Sequence, residues 1–333
     1  MQRPFALKPK LLIVELWGLG DLAIATPFLR AASEKFDVTV LAKPHALELQ
    51  PYLWPQARVM TFVAPWTAFK NKYNLWQWPW NEMLRLRKRL VAKHFDVALS
   101  ARWDPRDHLL LQLSGAKERV GFSRLGSRIF LTRELAYPGH QAHRYEFWRA
   151  AGEALGIDLP TRRELKPLPH RPSQMVLMHS GARLPARIWP LERYAALLKR
   201  LRENGFAVQV VCDASQLDWW KKNGEADVKC PSSLSELSSL FDTAGVFIGN
   251  DSGPGHLAAV SGIPTFTFFG PSLPQLFAPL HPHAEWLDDN SCHYKPCKDY
   301  CRFSSPRCLE NIQVELAWPS VKNFVATHLR SNH

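Results

Sequence analysis

The chain has 333 residues, 46% hydrophobic and 22% charged, with 42 Lys and Arg against 30 Asp and Glu, a formal charge of +12. This composition excludes a disordered tail, a collagen-like fibre and a disulfide-dense miniprotein, and the length suggests two domains of ~150 residues each. The charge is uneven: residues 1–172 hold 27 basic and 15 acidic side chains, residues 173–333 hold 15 of each. Two halves with different partners are implied.

In chain order, residues 11–16 are an apolar run rich in β-formers, followed by Trp17-Gly-Leu-Gly20-Asp21. Residues 22–35 show helical spacing and residues 38–42 read as the next strand. That is the strand, glycine loop, helix, strand unit of a parallel sheet. Glu15 and Asp21 interrupt what would otherwise resemble a signal peptide. No run approaches the ~18–20 apolar residues of a membrane span. Residues 97–100 and 119–121 read as further strands, with a helix over 108–114 between them.

Residues 165–172, with Pro167, Pro169 and Pro172, read as a linker. The pattern then restarts: a strand over 175–179, a loop over 180–190, a helix over 191–204, a strand over 206–212. A helix over 234–241, a strand over 246–248, a loop over 249–255, a helix over 256–261 and a strand over 265–269 follow. The expectation is an α/β chain of two Rossmann-like parallel-sheet domains facing across a cleft, residues 1–166 and 167–333. Ligands would sit beyond the carboxyl ends of the strands.

The first glycine loop fits the loose dinucleotide pattern G-x-G-x-x-[G/A]. Asp21 would repel a pyrophosphate there, and Lys43 stands where an acid should bind ribose. Two readings remain: an aspartate capping its helix, or a carboxylate presented to accept a proton from a substrate hydroxyl. The second loop, Gly249-Asn-Asp251-Ser252-Gly253-Pro-Gly255-His256, gathers backbone N–H groups and a hydroxyl at a helix start, an anion-binding arrangement. Upstream, Arg183 and Arg187 lie on a strand-end loop, and guanidinium groups suit phosphate.

Residues 64–95 hold four of the thirteen tryptophans among Lys70, Lys72, Arg85, Arg87, Lys88, Arg89 and Lys93. Such a stretch suits nucleic acid, an anionic membrane surface or a phosphorylated glycolipid. The plain alternative is a helix over 82–92 with a solvated basic face and packed tryptophans. Arg102, Arg106, Arg124 and Arg128 extend the basic patch. Cys292, Cys297, Cys301 and Cys308 lack the paired C-x2-C spacing of zinc ribbons; a structural zinc or iron site is an alternative, not the favoured reading. Six cysteines, four of them late, form no secreted disulfide framework, so the cytoplasm is expected.

Together these residues resemble glycosyltransferase family 9, the lipopolysaccharide heptosyltransferases. The resemblance is carried by Asp251-Ser-Gly-Pro-Gly-His256-Leu-Ala-Ala, Pro264 and Phe269-Gly-Pro271. Arg187-Ile-Trp-Pro190, the Gly20-Asp21 loop with Pro27, Ser114-Gly-Ala with Val120-Gly-Phe122, and the late cysteines Cys297, Cys301 and Cys308 support it. It runs in order from about residue 10 to about residue 325. It implies a GT-B fold and an inverting, metal-independent transfer of heptose from an ADP-sugar onto an inner-core lipopolysaccharide acceptor, with no cofactor. It implies Asp21 as base, and Asp251, Ser252, Gly253, Gly255 and His256 with Arg183 and Arg187 as the donor site. Lys70, Lys72, Arg102, Arg106, Arg124 and Arg128 would meet the anionic lipid A core acceptor at the cytoplasmic face of the inner membrane. Two departures stand out: Arg187 where the family more often has Lys, and Asp213-Ala-Ser215-Gln216 where it often has a glycine pair and Glu. Another nucleotide-sugar, or a nucleic-acid-binding protein, is the alternative.

Overall fold

The computed structural model describes residues 8–68, 74–171, 173–297 and 300–330. Contacts divide the chain into two compact units, Met1–Pro160 and Thr161–His333. Each is an α/β layer structure on its own parallel sheet.

The first unit contains β1 (Lys10–Val14), α1 (Leu19–Lys35), β2 (Asp37–Ala42), α2 (Ala46–Leu53), β3 (Arg58–Thr61), α3 (Trp80–Val91), β4 (Val97–Ser100), α4 (Pro105–Leu113), β5 (Glu118–Gly121), β6 (Arg133–Glu134) and α5 (Arg144–Ala154). The sheet order is β3-β2-β1-β4-β5-β6, every pairing parallel. β1 and β4 are central and buried, apolar inside except for Ser100, because helices cover both faces of such a sheet. The strand order reverses between β1 and β4, so their carboxyl ends open the crevice where doubly wound sheets bind ligands. On the sheet face covered by α3 and α4, Leu12, Val14, Leu41, Leu86, Leu90 and Leu111 form the core, and Trp66 is part of it.

The second unit contains β7 (Met175–His179), α6 (Leu191–Glu203), β8 (Ala207–Val211), α7 (Leu217–Lys222), α8 (Leu234–Phe241), β9 (Val246–Asn250), α9 (Gly253–Val260), β10 (Thr265–Phe269), α10 (Pro274–Phe277), β11 (Ala284–Asp288), α11 (Arg307–Glu310) and α12 (Val314–Arg330). Its order is β11-β10-β9-β7-β8, again all parallel. The reversal here falls between β7 and β9. Trp189 stacks on Phe268 with ring centroids 4.1 Å apart, inside a core that α6 and α12 close.

The strands and helices expected from apolar periodicity are present, with shifted edges. α1 starts at Leu19 rather than at residue 22, because Gly18 takes the extended N-cap conformation and Asp21 closes back on it. α9 starts at Gly253 rather than at His256, with Pro254 in its first turn, where a missing N–H costs nothing. Among the described residues no helix is long and apolar enough to cross a membrane.

Candidate functional site

In the first unit a charged cluster sits at the ends of β1 and β4. Asp21 lies in the first turn of α1, its side chain 18% exposed. Its Oδ2 accepts the Gly18 N–H at 3.0 Å. Its Oδ1 is met by Arg102 Nη2 and, at 3.8 Å, by Arg144 Nε. The same two arginines face a second carboxylate. Glu15 Oε1 is 3.7 Å from Arg102 Nε and Oε2 is 3.6 Å from Arg144 Nη2. Arg144, on α5, also donates to the Ala101 carbonyl at 2.6 Å. Burial lowers the Arg144 guanidinium to about 10 and raises the Glu15 carboxyl, so both groups depend on their partners to remain charged.

One layer deeper, Asp107 on α4 accepts the indole N–H groups of Trp17 at 3.1 Å and Trp66 at 3.0 Å. Burial, then the charge of Asp104, raises its carboxyl to about 7. An unfolded-chain aspartate ionises near 3.8, so the folded protein holds this proton longer. Stability on this account is greatest below pH ~4 and falls as pH rises toward 7. Asp107→Asn should flatten the stability–pH profile between pH 4 and 7, removing a slope worth on the order of a few kcal/mol. Urea denaturation of both proteins at several pH values checks this; parallel profiles would refute it.

The expected acceptor residues fare unequally. Arg102 is at the cluster. Arg106 makes a two-pronged ion pair with Asp104, at 2.9 and 2.6 Å. Arg124 is exposed, but its backbone is tied to Arg102 by way of Ser127 Oγ, which accepts its N–H at 3.0 Å, and His108 Nδ1 and Nε2, at 2.8 Å from Ser127 Oγ and 3.0 Å from the Arg102 carbonyl. Arg128 is exposed and paired with Glu134 at 3.0 Å. Lys70 and Lys72 lie outside the described residues. Of the tryptophans, Trp66 is buried and Trp78 packs against it at 5.4 Å, so neither is an open stacking platform.

The second unit gathers a cluster at the β7–β9 reversal. Asp251 is buried just past β9. Arg187 Nη1 reaches its Oδ2 at 3.1 Å, Ser272 Oγ donates to the same oxygen, and His256 Nε2 stands 3.7 Å from Oδ1. Burial alone would raise this carboxyl, but His256, Arg187 and Ser272 hold it below the ordinary carboxylate range. Asn250 Oδ1 accepts the Trp189 N–H at 2.9 Å and the Tyr194 hydroxyl at 3.0 Å, while its amide donates to the Ser180 carbonyl at 2.9 Å. It thereby locks the Arg187 loop to the end of β7.

Two hydrogen-bonding atoms of this loop are left over. Ser252 Oγ and His256 Nδ1 are buried and have no hydrogen-bond partner among the described residues, beside the start of α9, whose first-turn N–H groups also lack intrahelical acceptors. Such an arrangement can accommodate an anion. Arg183 is exposed on the same upstream loop as Arg187. Nearby, Asp213 lies 4.0 Å from His179 Nε2 and against Gly181, where a Cβ would sit 2.4 Å from the carboxyl. Only glycine at 181 lets that carboxylate lie over the end of β7.

Cys292, Cys297, Cys301 and Cys308 are free thiols, and burial raises Cys308 to about 11. Among the described residues no group of three or more His, Cys, Asp or Glu side chains is arranged to hold a metal ion. Sequence reasoning missed Glu15, Arg144, Asp107 and Asn250. A buried acid closing an apolar strand was the one available signal, for Glu15.

The family model for glycosyltransferase family 9 (heptosyltransferase) matches residues 83–305, well over half the chain, spanning the Arg102 and Asp251 loops. Lipopolysaccharide heptosyltransferase 1 of Pseudomonas aeruginosa is 26% identical over 291 residues, 80% of this chain and 79% of that protein. Among solved structures, a family 9 glycosyltransferase from Veillonella parvula superposes with a TM-score of 0.75 at 18% identity, covering 98% of this chain and 100% of that one. E. coli heptosyltransferase WaaC, solved with ADP, gives 0.73 at 17% identity, covering 95% and 99%. The architecture is thus GT-B-like, and the chain belongs to glycosyltransferase family 9, the heptosyltransferase family, and is a glycosyltransferase.

Proposed function

We propose that this enzyme moves heptose from ADP-heptose onto the inner core of lipopolysaccharide, with inversion and without a metal ion. Ser252 Oγ and His256 Nδ1, without a hydrogen-bond partner among the described residues, carry the reading together with Arg187. They are the hydrogen bonds a diphosphate would complete. WaaC was solved with ADP, which supports an adenine nucleotide here.

In this mechanism Asp21 accepts the proton of the acceptor hydroxyl as that oxygen attacks the anomeric carbon. Attack from the face opposite the leaving group inverts the centre. The bond to the diphosphate breaks, and the charge it gains meets Arg187, Arg183, His256 and the amides at the start of α9. Fixed dipoles and guanidinium groups there supply the stabilisation that a metal supplies elsewhere. Asp213, over Gly181, accepts hydroxyl groups of the nucleoside.

On this reading residues 1–166 recognise the acceptor and residues 167–333 the donor. Arg102, Arg106, Arg124 and Arg128, with Lys70 and Lys72, meet an anionic lipid A core. The acceptor is a glycolipid, so the enzyme works in the cytoplasm as a peripheral protein of the inner membrane.

A thermal-shift panel of ADP, UDP, GDP and their sugars tests the donor. ADP and ADP-heptose should raise the melting temperature most, since a ligand at 100 times its Kd adds about 2.7 kcal/mol. EDTA should leave the shift unchanged. Stabilisation by UDP alone would refute the reading.

A further inference from the structure

We infer that the outer shoulder of α3 is a docking surface for an anionic phospholipid bilayer, which rests on the glycolipid-acceptor reading and names the surface that would serve it. α3 buries Met83, Leu86 and Leu90 against the first unit's core. The face such a helix turns away from the core is ordinarily polar. Instead Trp80, Leu84 and Val91 are 49%, 59% and 40% exposed. At about 100° per residue they fall within ~40° of one another, roughly 100° away from the buried stripe. They form a second, half-exposed apolar stripe, in which Trp80 also packs on Trp78 at 5.7 Å. Trp76, four residues upstream, is 96% exposed.

The charge around that stripe selects its partner. Arg87 and Lys88 border it on either side, and Arg85 and Arg89 follow around the helix; all four are exposed and none makes an ion pair among the described residues. Glu82 is the helix's one acid. Cations bracketing Trp, Leu and Val make up the pattern of a helix lying in a membrane interface, where rings and aliphatic groups enter the headgroup layer and cations meet lipid phosphates.

Other occupants fit less well. Single-stranded nucleic acid rewards stacking rings but offers nothing to Leu84 and Val91. A two-fold contact with another copy would bring the like charges of both helices together. Neither basic nor apolar residues alone give stable attachment; the two signals side by side do.

The experiment is co-sedimentation of the full chain with vesicles of phosphatidylcholine alone or with about 30% phosphatidylglycerol. Binding to the anionic vesicles should be at least tenfold tighter and should weaken with salt. Leu84→Ser with Val91→Ser, and separately Arg87→Glu with Lys88→Glu, should each weaken it about tenfold or more. Both should keep the wild-type melting temperature and the wild-type rate on a deacylated, water-soluble acceptor. Equal binding to both vesicles, or wild-type binding by both variants, overturns the surface. So does loss of oligonucleotide binding, or of a dimer, in the variants with vesicle binding untouched. If vesicles bind as expected but no heptose transfer occurs on any acceptor, the surface stands and the functional reading fails.

Discussion

Asp21→Asn is expected to lower kcat by about 10²–10⁴-fold while nucleotide affinity stays within about twofold of wild type. The amide keeps the volume of the carboxylate and can still accept the Gly18 N–H at the start of α1, so the helix cap survives. What it lacks is a basic oxygen. Arg102 and Arg144 lose one of their two carboxylates but retain Glu15, so the local structure keeps a counter-charge. The proposed donor cluster, Arg187, Asp251, His256 and Ser272, is drawn from the second unit, which is why affinity for the nucleotide should not follow kcat. Steady-state rates with saturating donor and calorimetric binding of ADP separate the two quantities. Turnover within tenfold of wild type would remove Asp21 as the base.

The second large effect is expected on the donor side. Arg187→Ala should weaken ADP binding about 100-fold, or ~2.8 kcal/mol. Two contributions act in the same direction. A charge-assisted hydrogen bond to phosphate is lost, typically about 1.5–3 kcal/mol, and the buried Asp251 carboxylate, no longer neutralised, faces the diphosphate. Breaking a buried pair by removing one partner costs about 3–5 kcal/mol, and Arg187 is 26% exposed, so ~2–3 kcal/mol is the better figure. That corresponds to a loss of about 5–10 °C in melting temperature. The pH dependence is fixed by the direction of the Asp251 shift. A depressed carboxyl contributes stability above its unfolded value, near 3.8, and loses it as pH falls through the folded value. The gap between wild type and Arg187→Ala should therefore be widest at neutral pH and close below pH ~4. Arg187→Lys should lie between the two, keeping the charge without the guanidinium fork. Unchanged ADP affinity in Arg187→Ala would rule out the donor assignment.

Most of the strands that apolar runs reveal lie inside their sheets, although β8, legible as an apolar run, is an edge strand. β1, β2, β4, β7 and β10 are buried on both faces, and their sequences are rich in Leu, Val, Ile and Phe, with only buried Thr39, Ser100, Thr265, Thr267 and His179 among them as polar interior residues. β3, β6 and β11 lie toward or at the edges and mix exposed charges with apolar residues, so periodicity does not mark them. The second loop was legible because glycines, Ser252 and His256 are consecutive and need only a helix start to converge. The first was not. Asp21 and Arg102 are 81 positions apart, and Arg144 joins them from a helix the pattern did not reveal. Residue type pointed to a carboxylate at Asp21; its counter-charges are set by strand order, which only the folded sheet displays.

The two parallel sheets differ in strand order, and each keeps its own charged cluster at its own reversal point. Arg102, Arg144, Glu15 and Asp21 belong wholly to the first unit, and Arg187, Asp251, His256 and Ser272 wholly to the second. Inheritance can therefore act on them separately. On the proposed assignment, loops after β1, β4 and β5 can change the acceptor while the proposed nucleotide cradle is left untouched, and the reverse change is equally open. On that assignment the two halves can vary independently, each keeping its own charged cluster.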